Sequence, residues 1–142
     1  MKTFDTSNVI NGTYGEMWLD GEYMAEVKKV RLEANIEYEE VSRVRSLTPG
    51  QKMVAIKPEG EVSFNKVSST MMKKIHAKIS KGLTPKFDII SKLDDPNALG
   101  HERVAAHGCT FEKITLADWE LGNLVEENYS FKFERYDLLD AI

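Results

Sequence analysis

The chain has 142 residues, 42% hydrophobic and 30% charged, with a formal net charge of −4. That length fits one domain with a genuine core, and the composition excludes a disordered chain. The acidic balance argues against nucleic acid or an anionic membrane as a direct surface partner, and the single cysteine, Cys109, excludes an internal disulfide. The lone thiol, with no apolar run of membrane-spanning length and no signal-like start, gives the expectation of a chain made and kept in a cytosol.

Residues 1–12 are polar and asparagine-rich and are expected to form a flexible arm ahead of a single domain over 13–142. Residues 14–19 read as a short strand, and Asp20-Gly21 as a hairpin turn. The next strand starts near Glu22 and runs into residues 29–39. There Val30, Leu32, Ala34, Ile36 and Tyr38 alternate with Lys29, Arg31, Glu33, Asn35, Glu37 and Glu39. A period of two marks a strand with one buried and one wet face. At about 3.3 Å per residue the run spans roughly 35 Å, well beyond the usual strand. A domain this small does not need so long a strand for its own core, and a bare edge is a liability in a monomer. Pairing with other copies of the chain is the economical explanation.

Residues 40–52 read as an extended loop ending in Thr48-Pro49-Gly50, a turn signature. A strand returns through Val54, Ile56, Val62 and Phe64, with a bulge or bend expected at Pro58 and Gly60. Ser68-Ser69 is expected to cap a helix over 70–81 with Met71, Met72, Ile75 and Ile79 as its apolar stripe and Gly82 past its end. Its lysines, Lys73, Lys74, Lys78 and Lys81, read as a solvated face. Further strands are expected over 86–93, over 103–116 with a break near Gly108, and over 125–133. In the last, Tyr129, Phe131 and Phe133 alternate with Ser130, Lys132 and Glu134. Six or seven strands and one helix predict a mainly β fold, a sandwich or partial barrel with one flanking α-helix.

Residues suited to chemistry are sparse. His101, His107 and Cys109 are the only cluster with ligand-like side chains, but the H-x5-H-x-C spacing and the ligand count do not make a zinc site. His107 and Cys109, two apart on a strand, would share a face, so a nucleophile pair is conceivable in geometry alone. The carboxylates at Glu37, Glu39, Glu40, Asp94, Asp95, Glu126 and Glu127 sit in charge runs that read as solvated. Gly82, Gly100 and Gly108 are scattered and make no phosphate-cradling loop. No catalytic, cofactor-binding or metal site is expected.

Three collinear stretches resemble one family. They are the G-x-x-W-L-D-G-E-x-M-A opening at 15–25, F-x-K-V-S-S at 64–69, and F-x-F-E-x-Y-D at 131–137. Together they resemble the tail tube proteins of contractile phages, closest to the group found in PBSX-like defective prophages. The resemblance implies a fold of two packed antiparallel sheets with one flanking helix, no enzyme activity and no cofactor. It implies homo-hexameric rings that stack into a hollow tube, with sheath, baseplate and tape-measure proteins as partners and DNA as non-specific cargo. It implies assembly into the tail of a virion or phage-like particle. On that basis Lys29, Arg31, Glu33, Asn35, Glu37, Glu39, Asn128, Ser130, Lys132 and Glu134 would line the lumen. The apolar faces (Val30, Leu32, Ile36 and Tyr38 with Tyr129, Phe131 and Phe133) would form the core between sheets. Arg43, Arg45, Leu47 and Pro49 would meet neighbouring subunits or rings. Lys29, Arg31 and Lys132 depart from the family's tendency to keep the lumen face acidic. The alternatives are a type VI secretion-like tube subunit, which shares the fold, and a monomeric β-barrel binding a small apolar ligand.

Overall fold

In the computed structural model, which describes residues 2–142, an antiparallel sheet dominates. Met1, the first residue of the expected arm, lies outside the described residues. The strands are β1 (Gly15–Leu19), β2 (Glu22–Tyr23), β3 (Val27–Val41), β4 (Gly50–Asn65), β5 (Lys86–Leu93), β6 (Glu102–Phe111), β7 (Glu126–Lys132) and β8 (Arg135–Asp140). The helix α1 (Thr70–Ile79) follows β4. Hydrogen bonding orders the strands β2-β1-β5-β6-β7-β4-β3, and β8 pairs with β6. The fold is mainly β with one flanking helix, as expected; the two expected sheets are joined into one. That sheet curls, because β1 and β3, far apart in its order, approach each other. An open groove of ≈ 990 Å³ lies between β3 and the strands β1, β5, β6 and β8.

Strand alternation builds the core. Along β7, Glu127, Tyr129 and Phe131 point inward, and Phe133 continues the inward series. They meet Met17 and Leu19 of β1, Val62 and Phe64 of β4, Ile89 of β5, Cys109 and Phe111 of β6, and Met71 and Ile75 of α1. Phe111 is the aromatic hub, with ring centroids 5.5 Å from Phe87, 6.0 Å from Tyr129 and 5.3 Å from Phe131. Such pairs add about 0.5–1.5 kcal/mol each beyond burial. Lys74 bonds Glu22 at 2.7 Å, and the Lys78 ammonium lies 4.1 Å from the Phe87 ring, so two of the helix lysines pin α1 to the sheet.

Several boundaries differ from the sequence expectation. The β3–β4 hairpin stays paired to Val41 and Gly50, so the loop is confined to residues 42–49. β4 runs unbroken through Pro58 and Gly60, and the register slips instead at Lys28 and at Val54. Pro58 is tolerated because its carbonyl accepts from Phe133 N (3.3 Å), turning its backbone away from β3. The Gly108 break is a bulge: Gly108 takes φ +69° and, with His107, stands opposite the single residue Asp88. β6 ends at Phe111, short of 116, and β8 was not foreseen. The helix stops at Ile79; Ser69 makes no side-chain cap bond, and Ser68 Oγ instead sits 2.8 Å from Thr70 Oγ1. Gly82, at φ +72°, closes the helix end, with Leu83 N donating to Lys78 O (3.0 Å). The polar arm carries two short 3-10 turns, Thr6–Asn8 and Gly12–Tyr14, and Asn11 N donates to the buried Asp95 carboxylate at 2.9 Å.

Candidate assembly surface

Register places the polar residues of β3, β4 and β7 on one face. Lys29, Ser63 and Asn128 form one row, Arg31, Glu61 and Ser130 the next, and Glu33, Glu59 and Lys132 the third. Thr110 of β6 and Lys86 of β5 extend the third row, and Glu134 reaches Lys86 Nζ at 2.5 Å. Asn35 with Lys57, Glu37 with Ala55 and Glu39 with Lys52 continue the face along the hairpin. The structure thus brings the sequence-singled residues of β3 and β7 onto one surface, with β4 between them. Sequence reasoning missed β4's contribution (Lys57, Glu59, Glu61 and Ser63), although the alternation was present. Pro58 and Gly60 fall on the opposite face and masked it.

Several cations on this face stand beside carboxylates. Arg31 meets Glu33 at 3.0 Å and Glu61 at 3.4 Å, and the bond to Glu33 raises its already high pKa further. Lys57 meets Glu37 at 2.8 Å, and Lys132 stands opposite Glu59. Two of the positive residues that depart from an acidic pattern, Arg31 and Lys132, therefore sit opposite carboxylates that β4 supplies, while Lys29 stands opposite Ser63.

The opposite face of the hairpin is apolar and outruns the core. Val30 and Leu32 pack against the core, but Ile36 (47% exposed), Tyr38 (55%), Met53 (49%) and Ile56 (47%) do not. Ile36 and Tyr38, which the family resemblance places in the core between sheets, are thus exposed in the single subunit. Period two fixes which face a side chain takes, and whether anything covers that face depends on other strands. β3 is also the terminal strand of the sheet. Past the irregularity at Lys28 it has no proline, and its own run from Val30 to Val41 carries no inserted residue. Such an edge offers a row of unpaired backbone groups for another strand. Because Pro58 turns away from β3, its partner Ala34 also directs its N–H to the free side.

Residues 42–49 cap the hairpin. Arg43 Nη2 donates to Thr48 O (3.2 Å), Arg45 takes φ +60°, and Val44 and Leu47 are almost wholly exposed. Pro49 leads into β4.

The histidines and the cysteine do not converge. The bulge at Gly108 breaks the alternation, so Cys109 sits in the core, its Sγ 3.5 Å from Ala106 O. His107 instead bonds Asp137 at 2.9 Å, and His101 lies 3.3 Å from Asp140. The same-face pairing of His107 and Cys109 expected from spacing is therefore absent. Burial, with Asp88 nearby, pushes the Cys109 thiol up to about 12, the opposite of an activated nucleophile. Among the described residues no group of three or more metal-ligating side chains converges.

Residues 2–140 match the family described as Phage tail tube protein. The chain is 32% identical over 139 residues to the phage-like element PBSX protein XkdM of Bacillus subtilis (strain 168), spanning 95% of this chain and 93% of that protein. Among solved structures it is similar to the tube-terminating cap of the anti-feeding prophage. The TM-score there is 0.74 at 13% identity, covering 99% of this chain and 97% of the other. It is also similar to a chain of the extended sheath–tube complex of an extracellular contractile injection system. That match has a TM-score of 0.65 at 8% identity, covering 96% and 100%. At such low identities these two likenesses bear on the fold alone.

Proposed function

Because the chain belongs to the phage tail tube protein family, we propose that it is the inner-tube subunit of a phage or phage-like contractile tail, closing into six-membered rings that stack into a hollow tube. The observation that carries this reading is the free β3 edge, fifteen residues long, with an apolar face extending past the core. A neighbouring copy that adds a strand there satisfies the edge and covers Ile36, Tyr38, Met53 and Ile56 in one step. Ring closure then leaves no edge bare.

In this arrangement the polar face of β3, β4 and β7 lines the lumen. Its bases (Lys29, Arg31, Lys52, Lys57 and Lys132) nearly balance its acids (Glu33, Glu37, Glu39, Glu59, Glu61 and Glu126). Phosphate contacts that would hold a duplex need an excess of cations, and on this face acids slightly outnumber bases, with Arg31 and Lys57 bound to carboxylates, so DNA slides through without being gripped. The N-terminal arm and residues 42–49 settle against neighbouring subunits on assembly. Sheath, baseplate and tape-measure proteins complete the tail, built in the bacterial cytoplasm, and the subunit itself needs neither cofactor nor membrane.

Ala34→Pro tests the edge. Proline is tolerated on an edge strand where the lost N–H faces solvent, and here it removes a donor that β4 does not use. The variant is expected to keep the wild-type circular dichroism spectrum and to remain monomeric in sedimentation velocity at concentrations where wild type assembles. A folded Ala34→Pro protein that assembles like wild type would rule out pairing through β3.

A further inference from the structure

Two surfaces lie outside the β3 edge and the polar face. One is the hairpin tip, where Arg43-Val44-Arg45 and Leu47 project with no acid between 42 and 49. The other is the segment 112–125 between β6 and β7. There Leu116, Trp119, Leu121 and Leu124 are exposed, Trp119 at 77% and Leu121 at 96%. Asp118 and Glu120 flank Trp119 as Arg43 and Arg45 flank Val44, and the segment's only cation, Lys113, lies at its base.

The two surfaces sit at opposite ends of one strand. Gly50, the first residue of β4, pairs with Val41 beside the tip; Asn65, its last, pairs with Glu126 directly after the segment. Sixteen residues separate them, roughly 50 Å at about 3.3 Å per residue, so they cannot meet within one chain. The segment is nonetheless held in place. Lys66 N donates to Val125 O (2.9 Å), Asn123 N to Glu120 O (3.2 Å), and Gly122, at φ +84°, makes the turn that presents Leu121.

We propose that the 112–125 segment is the receiving surface for the hairpin tip of a second copy in the next ring. The arginines of the tip meet Asp118 and Glu120, and Val44 and Leu47 cover Trp119 and Leu121. Such a contact is head-to-tail, joining different patches of identical chains, and it propagates along an axis without closing on itself. Charge complementarity fixes its direction and register, and the apolar centre supplies the adhesion. It rests on the reading of the chain as a stacking ring subunit, and it names the two halves of the stacking contact.

Charge reversal in the full chain tests it. R43E/R45E and D118R/E120R are each expected to form rings but to need about tenfold or more higher concentration to stack, and the combined variant is expected to recover stacking. Stacking at the wild-type concentration by either double variant, or no recovery in the combined one, overturns the contact. Rings that stack normally despite R43E/R45E would remove the contact and leave the ring reading standing. Absence of rings in wild type would remove that reading, and Val44→Cys mixed with Leu121→Cys then decides the contact alone. A disulfide-linked dimer formed only in the mixture upholds it, and no such dimer overturns it.

Discussion

Replacing Gly60 with alanine is expected to destabilise the subunit by about 2–3 kcal/mol, the upper range for forcing extra volume into a packed site. A Cβ at this position would lie 2.6 Å from Arg31 O on β3 and 2.6 Å from the Phe131 ring on β7. The carbonyl belongs to the ladder and cannot move without breaking it, and Phe131 is wedged against Phe111 and Phe133. Neither neighbour yields cheaply, so β4 must shift between its two partner strands. Urea denaturation should show a lower midpoint with an unchanged slope. Gly12→Ala, where nothing lies within 4 Å, is the matched control and should change little.

The second large effect is expected at Lys66. Its ammonium pairs with the buried Glu127 carboxylate, which also accepts from Tyr129 Oη at 3.0 Å. Burial, then the bond to Glu127, pushes the Tyr129 phenol up to about 12, so it remains a donor throughout the neutral range. Lys66→Met removes the charged partner and leaves the carboxylate accepting from the Tyr129 hydroxyl. Breaking one side of a buried pair costs about 3–5 kcal/mol, and Lys66's partial exposure places this case near the lower figure. Adding Glu127→Gln should recover most of the loss, because the neutral amide still accepts from Tyr129 and no longer strands a charge. If the double variant were as unstable as Lys66→Met, lost packing rather than an uncompensated charge would be the cause. The cluster also ties the end of β4 to the start of β7, and so anchors the base of the 112–125 segment.

Much of this architecture was legible in the chain, for identifiable reasons. The alternation over 29–39 gave β3 and both of its faces, and that over 129–134 gave β7, because a period of two survives any tertiary context. The 86–93 strand was found with its boundaries, since turn residues bracket it on both sides. What failed was local insertion. The bulge at Gly108 puts Cys109 in the core and His107 on the surface, and no periodicity argument anticipates an added residue. Pro58 and Gly60 looked like an interruption, yet one turns its backbone away from β3 and the other makes room for Phe131. That misreading hid the polar side chains of β4.

Neighbour relations were the other gap. The residues of β3 and β7 were placed on a common surface, but β4 is what joins them and supplies Glu59 and Glu61 opposite Lys132 and Arg31. The family resemblance puts Ile36 and Tyr38 in the core between sheets, on the same face as Val30 and Leu32. The hairpin outruns everything that could cover it, which makes these residues a feature of assembly rather than of folding. The unforeseen β8 pairs along β6 beside the end of β7, a placement that depends on the fork between those strands.

Electron microscopy of the purified wild-type chain across a concentration series tests the central claim most directly. Assembly through the β3 edge requires rings with six-fold end views that lengthen into hollow tubes of uniform width as concentration rises. Single small particles at every concentration, including with tail baseplates added as seeds, would contradict it and leave the exposed face of the hairpin without a partner of its own kind.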